Sequence, residues 1–520
     1  MSIAVTTSNQ VGSSRRRGRD ARRTSRAQET ATALGAIRPG LPGGAFNPLQ
    51  PDEIERIHNT ALDILENIGF GEATASGRKI LTSAGAIEGA DGRIRFPRSL
   101  VEDVIAGAKR NFFLFGKSPE RDIHPVGKNV YFATAGAAVH VVDPMRREYR
   151  PSTLADLYDA VRVADAMENI HLIQRPLVAR DLVDPLLLDV NTAYVGLVGT
   201  SKHFGTSFSD RASVEAVVPM LHAVAGSPEA WRARPFVSAS CCFVVPPLKF
   251  AEDACSAMEA AVEADIPVLL LSAGQAGATS PAPLAGAVAL ATAEVLAGLV
   301  YVNAIKPGAV AIMGAWPFVS DLRTGAMSGG SAEQGLLSSA CGQMAHYYGI
   351  PAGAPAGMTD SKLPDLQAGL ERGMTAVMAG LAGVNIIYES AGMYASLLGF
   401  SPDSLVIDND ILGATLRAVR GIEVTEDNLS LDSIARVCLE GPGHFLGDEQ
   451  TLNVMKSEYV YPDLGDRTSP KEWEEGGRSD LLQRAIARRQ EILAAPARYH
   501  IPPDVDAQLR RMADIRLPKA

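Results

Sequence analysis

A strand–helix unit recurs eight times between residues 128 and 400 of this 520-residue chain. Each unit begins with a short apolar run that ends abruptly in small, polar or aromatic residues, and an alanine-rich stretch of helical length follows. Strands that alternate with helix-length segments predict an α/β fold with parallel strands, and eight of them predict a (β/α)8 TIM barrel. The eight runs are Val130–Thr134, Leu172–Arg175, His203–Phe208, Phe236–Phe243, Val268–Ser272, Val310–Ala315, Pro351–Gly357 and Val384–Ser390.

The segments on either side of these units predict three further parts. Residues 1–45 contain seven arginines and one acidic residue between positions 12 and 26, which predicts a disordered basic tail. Apolar residues at three- and four-residue steps after Asp52, and a second such stretch over Ser99–Arg110, predict an N-terminal helical cap over residues 46–127. Residues 128–400 then form the barrel, and residues 401–520 a C-terminal helical extension whose clearest helix is Leu481–Leu493.

Composition narrows the class of protein. The net charge of −10 argues against general nucleic-acid binding, and five cysteines without a CxxC pair favour a reducing compartment, so we expect a cytoplasmic protein. The apolar stretch Pro281–Ala304 is long enough to span a membrane, but Glu294 in its middle would cost about 3 kcal/mol at the centre of a bilayer. We therefore expect a buried helix, no membrane span and, as an assembly, a homo-oligomer.

Metal ligands are sparse. Cys241 and Cys242 adjoin each other at the end of the fourth run, and successive residues of a strand point to opposite faces, so only one of them can face the barrel centre. No HxH or HxxxH pair supplies companion ligands. We expect no metal bound directly by this chain.

Aromatic residues form only 6% of the chain, yet several lie at or just beyond the ends of the predicted strands, where barrel enzymes place their chemistry. A cluster of aromatic faces attracts a cation without hydrogen bonds, at about 0.5–2 kcal/mol per face. This suits a quaternary ammonium group, which cannot donate a hydrogen bond; the alternative is that the rings fill the core. The candidates for substrate binding are Phe208, Phe243, Trp316, Phe318, Tyr388 and Tyr394.

Three further residues are candidates for catalysis. Glu389 lies at the end of the eighth run, Asp360 lies just beyond the seventh, and His140 follows the first. Carboxylates at the mouth of a pocket can balance a substrate cation or move a proton. Asp360, followed by Ser361 and Lys362, could instead cap a helix.

Polar side chains at other strand ends could bind a substrate anion. Arg175, which ends the second run beside Gln174, could hold a carboxylate in a bidentate fork, or it could pair with an acidic residue of the barrel. Gln275 lies in a glycine-rich loop after the fifth run, where backbone can approach a ligand closely.

The strand-end sequences together resemble those of the trimethylamine methyltransferase family of corrinoid-dependent methyltransferases. The resemblance extends over about residues 35–515 and implies a (β/α)8 barrel whose mouth accepts a methylamine and docks a corrinoid protein. It is carried by YFATAGAAVHVVDP at Tyr131–Pro144, KHFGTSF at Lys202–Phe208, LLLSAGQAGATSP at Leu269–Pro281, and the segments Trp316–Gly330, Gly357–Gly369 and Tyr388–Asp410.

One departure from the family decides the expected substrate. Founding members carry pyrrolysine and demethylate trimethylamine, whereas this chain has only standard residues and so resembles the branch typified by glycine betaine methyltransferases. The loop around Gly357–Asp360 is where we expect the position of the missing pyrrolysine. A quaternary ammonium departs as a neutral amine without activation, so the protein need only hold and align it for a strong nucleophile.

The sequence thus predicts transfer of a methyl group from a quaternary amine, with glycine betaine as the first candidate, to the cobalt(I) of a corrinoid that is free or carried by a partner protein. Two other classes stay open. One is a non-catalytic betaine-binding or sensing protein, and the other is a barrel lyase or hydrolase that uses Glu389 and His140.

Overall fold

The computed structural model describes residues 40–441 and 443–519 of the chain. Each of the eight apolar runs contains a strand, so the prediction of eight strands is confirmed. The strands are β1 (Asn129–Phe132), β2 (Leu172–Gln174), β3 (His203–Thr206), β4 (Val237–Cys241), β5 (Val268–Ser272), β6 (Ala311–Ala315), β7 (Gly353–Pro355) and β8 (Ile386–Tyr388).

A helix follows each strand, and polar N-cap residues start most of them. The side chains of Thr153, Asp210, Ser331 and Asp365 each accept a hydrogen bond from the first turn of the helix that they precede. The helices are α1 (Leu154–Asp165), α2 (Pro185–Gly199), α3 (Arg211–Ala225), α4 (Glu252–Glu263), α5 (Leu284–Ile305), α6 (Ala332–Tyr348), α7 (Leu366–Ala382) and α8 (Pro402–Arg420), with a short helix Pro228–Ala233 between α3 and β4.

All pairings among the eight strands are parallel. One sheet has the order β6-β5-β4-β3-β2, and in another β8 lies between β1 and β7. Isolated parallel bridges join Ala133 to Leu172 and Met313 to Ala352. The fold is therefore mixed α/β, and the carboxyl ends of the strands point in one direction.

The loops that follow those carboxyl ends contain additional short strands. None was predicted, because two to four residues carry too little periodicity for a sequence signal. His140–Asp143, Glu148–Pro151, Met393–Tyr394 and Gly399–Phe400 form one sheet, Val244–Val245 pairs with Lys249–Phe250, and Gln275–Ala276 pairs with Phe318–Val319.

The chain before β1 contains the two predicted helices and elements that were missed. Leu41–Pro42 pairs antiparallel with β1, so the prediction of disorder is wrong at the end of the basic tail; residues 1–39 lie outside the described residues. The remaining elements are the helices Pro51–Asp63, Ile64–Ile68 (π), Ala75–Ser83, Arg98–Gly107 and Pro119–Arg121 (3-10) and the hairpin Ile87–Glu88 with Ile94–Arg95.

The chain after α8 is helical in short pieces. The predicted helix at Leu481–Leu493 is confirmed with one more residue. The helices are Glu426–Leu429, Leu431–Ala435, Arg436–Glu440 (π), Glu449–Val454, Pro470–Glu475, Leu481–Ala494 and Pro503–Met512.

Helix α5 is the one described helix that is long and apolar enough to cross a membrane. Its most apolar stretch is 89% buried inside the protein. Glu294 lies within it, 1% exposed, and accepts hydrogen bonds from the Leu248 N–H at 2.8 Å and from the Ser272 hydroxyl. The predicted buried helix is therefore confirmed, and such burial is what a core helix of a water-soluble protein shows.

The buried amide of Asn385 joins three of the strands at their amino ends. Its Nδ2 donates to the Gly127 and Asn129 carbonyls at 2.9 and 3.1 Å, and its Oδ1 accepts from the Ala352 N–H at 2.9 Å. We expect Asn385→Ala to lower the free energy of unfolding by about 2–4 kcal/mol, because buried backbone groups lose their partners. Denaturant unfolding measures this, with the exposed Asn428→Ala as control, expected within about 0.5 kcal/mol of the parent. Equal effects of the two substitutions would contradict the assignment.

Candidate functional site

Glu389 is a buried carboxyl at the carboxyl end of β8. It is 4% exposed, and its Oε2 accepts a hydrogen bond of 2.7 Å from the Gly136 N–H. Burial raises the pKa of Glu389 to about 8, against the opposing effect of that hydrogen bond. No basic side chain among the described residues forms an ion pair with it. The carboxyl is therefore largely protonated at neutral pH and would ionise beside a cation.

The backbone of Glu389 is held in the left-handed region, with φ of 63°. A non-glycine residue there costs about 1–3 kcal/mol and persists only where its surroundings fix it. Its N–H donates to the Thr134 carbonyl at 3.2 Å, and the Gly136 N–H holds its side chain. The loop after β1 therefore holds the carboxyl in position.

Gln174, the last residue of β2, lies next to Glu389. A Cβ on Gly136 would be 2.5 Å from Glu389 Oε1 and 3.5 Å from Gln174 Cγ, and a Cβ on Gly205 would be 2.0 Å from Gln174 Oε1. Gln174 Nε2 donates to Ser240 Oγ at 3.0 Å, while its buried Oε1 has no partner among the described residues. The site thus presents an unused oxygen beside a carboxyl.

Three of the predicted aromatic residues meet at the ends of β6 and β8. The ring centroids of Trp316 and Tyr388 are 5.5 Å apart, and Phe318 meets Trp316 edge-on at 6.3 Å. The Trp316 indole donates to the Gly353 carbonyl at 2.7 Å, and a Cβ on Gly353 would be 2.9 Å from Tyr388 Cε2. Because Tyr388 precedes Glu389, aromatic rings and carboxyl share one end of the fold.

Gln275 borders this cluster. It pairs in register with Phe318, is half-buried, and accepts a hydrogen bond from Ser320 Oγ at 3.2 Å. The loop after β5 therefore lies against the loop after β6.

Arg175 is buried without a partner. It is 9% exposed, its Nε makes no hydrogen bond, and the guanidinium forms no ion pair within the described residues. Burial lowers the pKa of Arg175, although the charge of Asp189 acts in the other direction. Asp189 itself accepts from the Ser209 N–H at 2.7 Å. A buried cation in this state is a candidate for binding an anion.

The two adjacent cysteines differ in exposure. Cys241, the last residue of β4, is buried, and Cys242 just beyond it is exposed. Partial burial nevertheless raises the pKa of the Cys242 thiol, and the charge of Arg175 opposes that shift. Over residues 40–441 and 443–519, no group of three or more His, Cys, Asp or Glu side chains has the arrangement of a metal site.

Three of the predicted aromatic residues lie apart from the cluster. Phe243 is fully buried, and a Cβ on Gly298 of α5 would be 2.4 Å from its ring. Tyr394 donates to or accepts from Ser404 Oγ at 2.6 Å, and the Arg372 guanidinium already covers its ring at 4.4 Å. Phe208 is half-buried in the loop after β3.

Among the described residues, neither His140 nor Asp360 forms a hydrogen bond with Glu389. His140 is half-buried in the sheet of four short strands that begins with His140–Asp143, and its Nδ1 is 3.3 Å from the Leu398 carbonyl. Asp360 accepts from Ser328 Oγ at 2.8 Å, the Gly329 N–H at 2.7 Å and Ser396 Oγ at 2.5 Å. The alternative role of Asp360 as a helix cap is wrong, because Asp365 caps α7; Asp360 connects the loops that follow β6, β7 and β8.

Sequence reasoning missed the residues that shape the cluster. Gly136, Gly205 and Gly353 provide the space that Glu389, Gln174 and Tyr388 occupy, and Ser240 orients Gln174. A signal was present, since glycine within or just after a short apolar strand marks close approach of another group. Which side chain enters that space depends on pairing between distant strands.

Comparison with known proteins gives the family. The model described as trimethylamine methyltransferase (MTTB) matches residues 15–517. The chain is 31% identical over 464 residues to the trimethylamine methyltransferase MttB of Desulfitobacterium hafniense strain DCB-2, covering 89% of this chain and 92% of that protein. It is 32% identical over 469 residues to a glycine betaine methyltransferase of D. hafniense strain Y51, covering 89% and 96%.

An archaeal relative is similar over the same range: the trimethylamine methyltransferase MttB of Methanosarcina barkeri is 30% identical over 480 residues, covering 91% of this chain and 96% of that protein. A match over nearly the whole length, with strands and strand ends where the family resemblance predicts them, leaves one conclusion. The chain belongs to the trimethylamine methyltransferase family.

Proposed function

We propose that this chain is a methyltransferase that moves a methyl group from a quaternary amine, glycine betaine in the first place, to the cobalt(I) of a corrinoid protein. Membership of a family whose relatives are named methyltransferases supports the enzyme class. The observation that carries the substrate class is the buried carboxyl of Glu389 next to the Trp316–Tyr388 ring pair. Rings and carboxyl together suit an organic cation.

The proposal includes a closed (β/α)8 barrel. The bridge between Ala133 and Leu172 supports contact of β1 with β2, and the bridge between Met313 and Ala352 supports contact of β6 with β7. With the pairing of β8 to β1, every strand then has two neighbours. Such a barrel places Glu389, Gln174 and Trp316 around one mouth.

In this proposal each group contacts a different part of the cation. The rings of Trp316 and Tyr388 face the methyl groups, which carry the spread positive charge, and Glu389 ionises to balance it. Gln174 Oε1, which has no other partner, accepts weak C–H···O contacts from those methyl groups. Phe318 packs beside the indole and excludes water.

The charge of the substrate decides which amine reacts. The carbon–nitrogen bond breaks with its electron pair moving to nitrogen, so a quaternary ammonium leaves as a neutral tertiary amine, while the acceptor supplies the electron pair of the new bond to methyl. The chain contains only standard residues, so it lacks the pyrrolysine found in founding members of the family. Its task is to bind, align and desolvate the cation.

In this proposal the acceptor arrives from outside, at the carboxyl ends of the strands. Cys242 just beyond β4 is exposed and Gln275 beside Phe318 is half-buried, which supports a route for the corrinoid from that side. The corrinoid protein is thus a partner rather than a resident group. Five free cysteines suit the cytoplasm as its compartment, and we expect a homo-oligomer.

Turnover separates this function from a non-catalytic betaine sensor. Full-length protein incubated with glycine betaine and free cob(I)alamin should form dimethylglycine, followed by mass spectrometry. Trimethylamine should give no dimethylamine, because its protonated form would lose a hydrogen bond to water among aromatic rings, at about 1–3 kcal/mol. Betaine binding without dimethylglycine would favour the sensor, and comparable turnover of trimethylamine would refute the charge argument.

Trp316 should be a binding residue rather than only a core residue. Trp316→Ala should weaken glycine betaine binding by about 1–3 kcal/mol, and Trp316→Phe should retain part of it because one aromatic face remains. Isothermal titration calorimetry measures both. The control is Trp231→Phe, at a fully buried indole that donates to the Ala264 carbonyl at 2.9 Å. It should lower stability and leave binding unchanged; equal binding losses at both tryptophans would make Trp316 structural.

Glu389 should couple substrate binding to pH. A bound cation favours the ionised carboxylate, so affinity for glycine betaine should rise as pH increases towards about 8 and then level off. Glu389→Gln should bind more weakly, with no such rise. Titrations between pH 6 and 9, repeated in buffers of different ionisation enthalpy, would also report the released proton. A parent protein whose affinity is flat over this range would remove Glu389 from the cation site.

A stability measurement gives the companion check. The folded-state pKa of Glu389 is raised, so between about pH 4.5 and 8 the folded protein keeps a proton that the unfolded chain has lost. The cost of burying the group therefore grows as pH rises. Glu389→Gln should unfold at higher denaturant than the parent at pH 8, and the difference should vanish near pH 4.5.

A further inference from the structure

Arg175 is a buried cation that the protein itself leaves without an anion. Nine-tenths of the residue is buried, its Nε makes no hydrogen bond, and no carboxylate in the described chain forms an ion pair with it. Its acidic neighbour Asp189 is engaged by the Ser209 N–H at 2.7 Å. Leaving a charge desolvated and unpaired costs several kcal/mol, so such a residue is retained where a ligand brings the counter-charge.

The position of Arg175 connects it to the proposed cation site. It follows Gln174 directly, and Gln174 Nε2 donates to Ser240 Oγ at 3.0 Å. Cys242 is the first residue after β4, two positions beyond Ser240, and it is exposed. The charge of Arg175 opposes the rise that burial causes in the pKa of the Cys242 thiol. Gln174 thus packs beside Glu389 on one side, and its chain neighbour Arg175 lies within electrostatic reach of Cys242.

We propose that Arg175 forms an anion subsite with Cys242 at its rim, and that this subsite binds the carboxylate of the substrate and selects zwitterionic methylammonium compounds over simple cations. The inference rests on the proposed function and deepens it. Glu389 and the rings take the positive end, and Arg175 takes the negative end in a bidentate fork. Gln275 is the lesser candidate, since its amide can donate to a carboxylate but carries no charge to balance it.

A pair of thiol reagents tests the subsite without any methyl transfer. Iodoacetate and iodoacetamide react alike: the thiolate sulfur bonds to carbon, the carbon–iodine bond breaks and iodide leaves. Only iodoacetate carries a carboxylate. Exposed Cys438 is an internal reference within the same chain. At pH 8.5, with each site followed by mass spectrometry, the iodoacetate-to-iodoacetamide rate ratio at Cys242 should exceed that at Cys438 by about 10-fold or more, because a buried cation attracts the anionic reagent.

Substitution and protection complete the labelling test. Glycine betaine and acetate should each slow carboxymethylation of Cys242 and leave Cys438 unaffected. Arg175→Gln should bring the two rate ratios together, and Arg175→Lys should retain part of the difference since the charge remains. Equal ratios at both cysteines in the parent protein, or a Cys242 that neither reagent modifies, would overturn the subsite.

Binding measurements separate this proposal from the proposed function. Arg175→Gln should weaken glycine betaine binding by about 30-fold or more, and should change the binding of choline, which lacks the carboxylate, by less than about 3-fold. Equal losses would remove Arg175 from specificity. A parent protein that shows the labelling preference but forms no dimethylglycine would keep the subsite and refute the methyltransferase. Dimethylglycine formation with no labelling preference would support the methyltransferase and refute the subsite.

Discussion

Two ionisable side chains, the carboxyl of Glu389 and the guanidinium of Arg175, lie buried at the carboxyl ends of the strands, and neither forms an ion pair within the described chain. Among the described residues, Glu389 accepts only from the Gly136 N–H, and the Arg175 side chain makes no hydrogen bond. Had the two been close enough to pair, each would have satisfied the other. Gln174, directly before Arg175, packs beside Glu389, yet no ion pair joins Glu389 to Arg175 within the described chain. In the proposed function, a zwitterion supplies both missing partners, which a simple amine cannot do.

Space for these groups comes from glycine. A Cβ at Gly205 would lie 2.0 Å from Gln174 Oε1, and a Cβ at Gly136 would lie 2.5 Å from Glu389 Oε1. Gly353 gives the same room to the ring of Tyr388. Any side chain at these positions would displace the polar groups, since real contacts of this length do not occur in packed interiors. The absence of side chains at these glycines therefore shapes the site as much as the side chains that the strands carry.

The eight strands were predictable because each apolar run is short, ends in small, polar or aromatic residues and is followed by a stretch of helical length. The site was predictable only in part. Phe243 and Tyr394 look like Trp316 and Tyr388 in sequence, yet Phe243 packs on α5 and the ring of Tyr394 is covered by Arg372. The direction in which a side chain points depends on strand register and on the path of the loops, and the order of residues along the chain does not specify either. The position of the Glu389 carboxyl depends on the N–H of Gly136, 253 positions away in the chain.

At the amino ends of the strands, by contrast, a buried charged side chain has all its partners within the protein. Lys202, which precedes β3, is fully enclosed, and its ammonium donates to the carbonyls of Ala164, Met167 and Ile170 at 2.6–2.8 Å. The Ala164 carbonyl lies in the last turn of α1 and the other two follow its end, where a cation also meets the negative end of the helix dipole. Lys202 thus stabilises the connection between α1 and β2. The side chain of Arg175 is also buried, but it forms no hydrogen bond or ion pair within the described chain. One basic side chain therefore stabilises the fold at the amino ends of the strands, and another is left unpaired at the carboxyl ends. That difference supports the proposal that recognition takes place at the carboxyl ends, because a fold that can satisfy Lys202 so fully has no structural need to leave Arg175 unpaired.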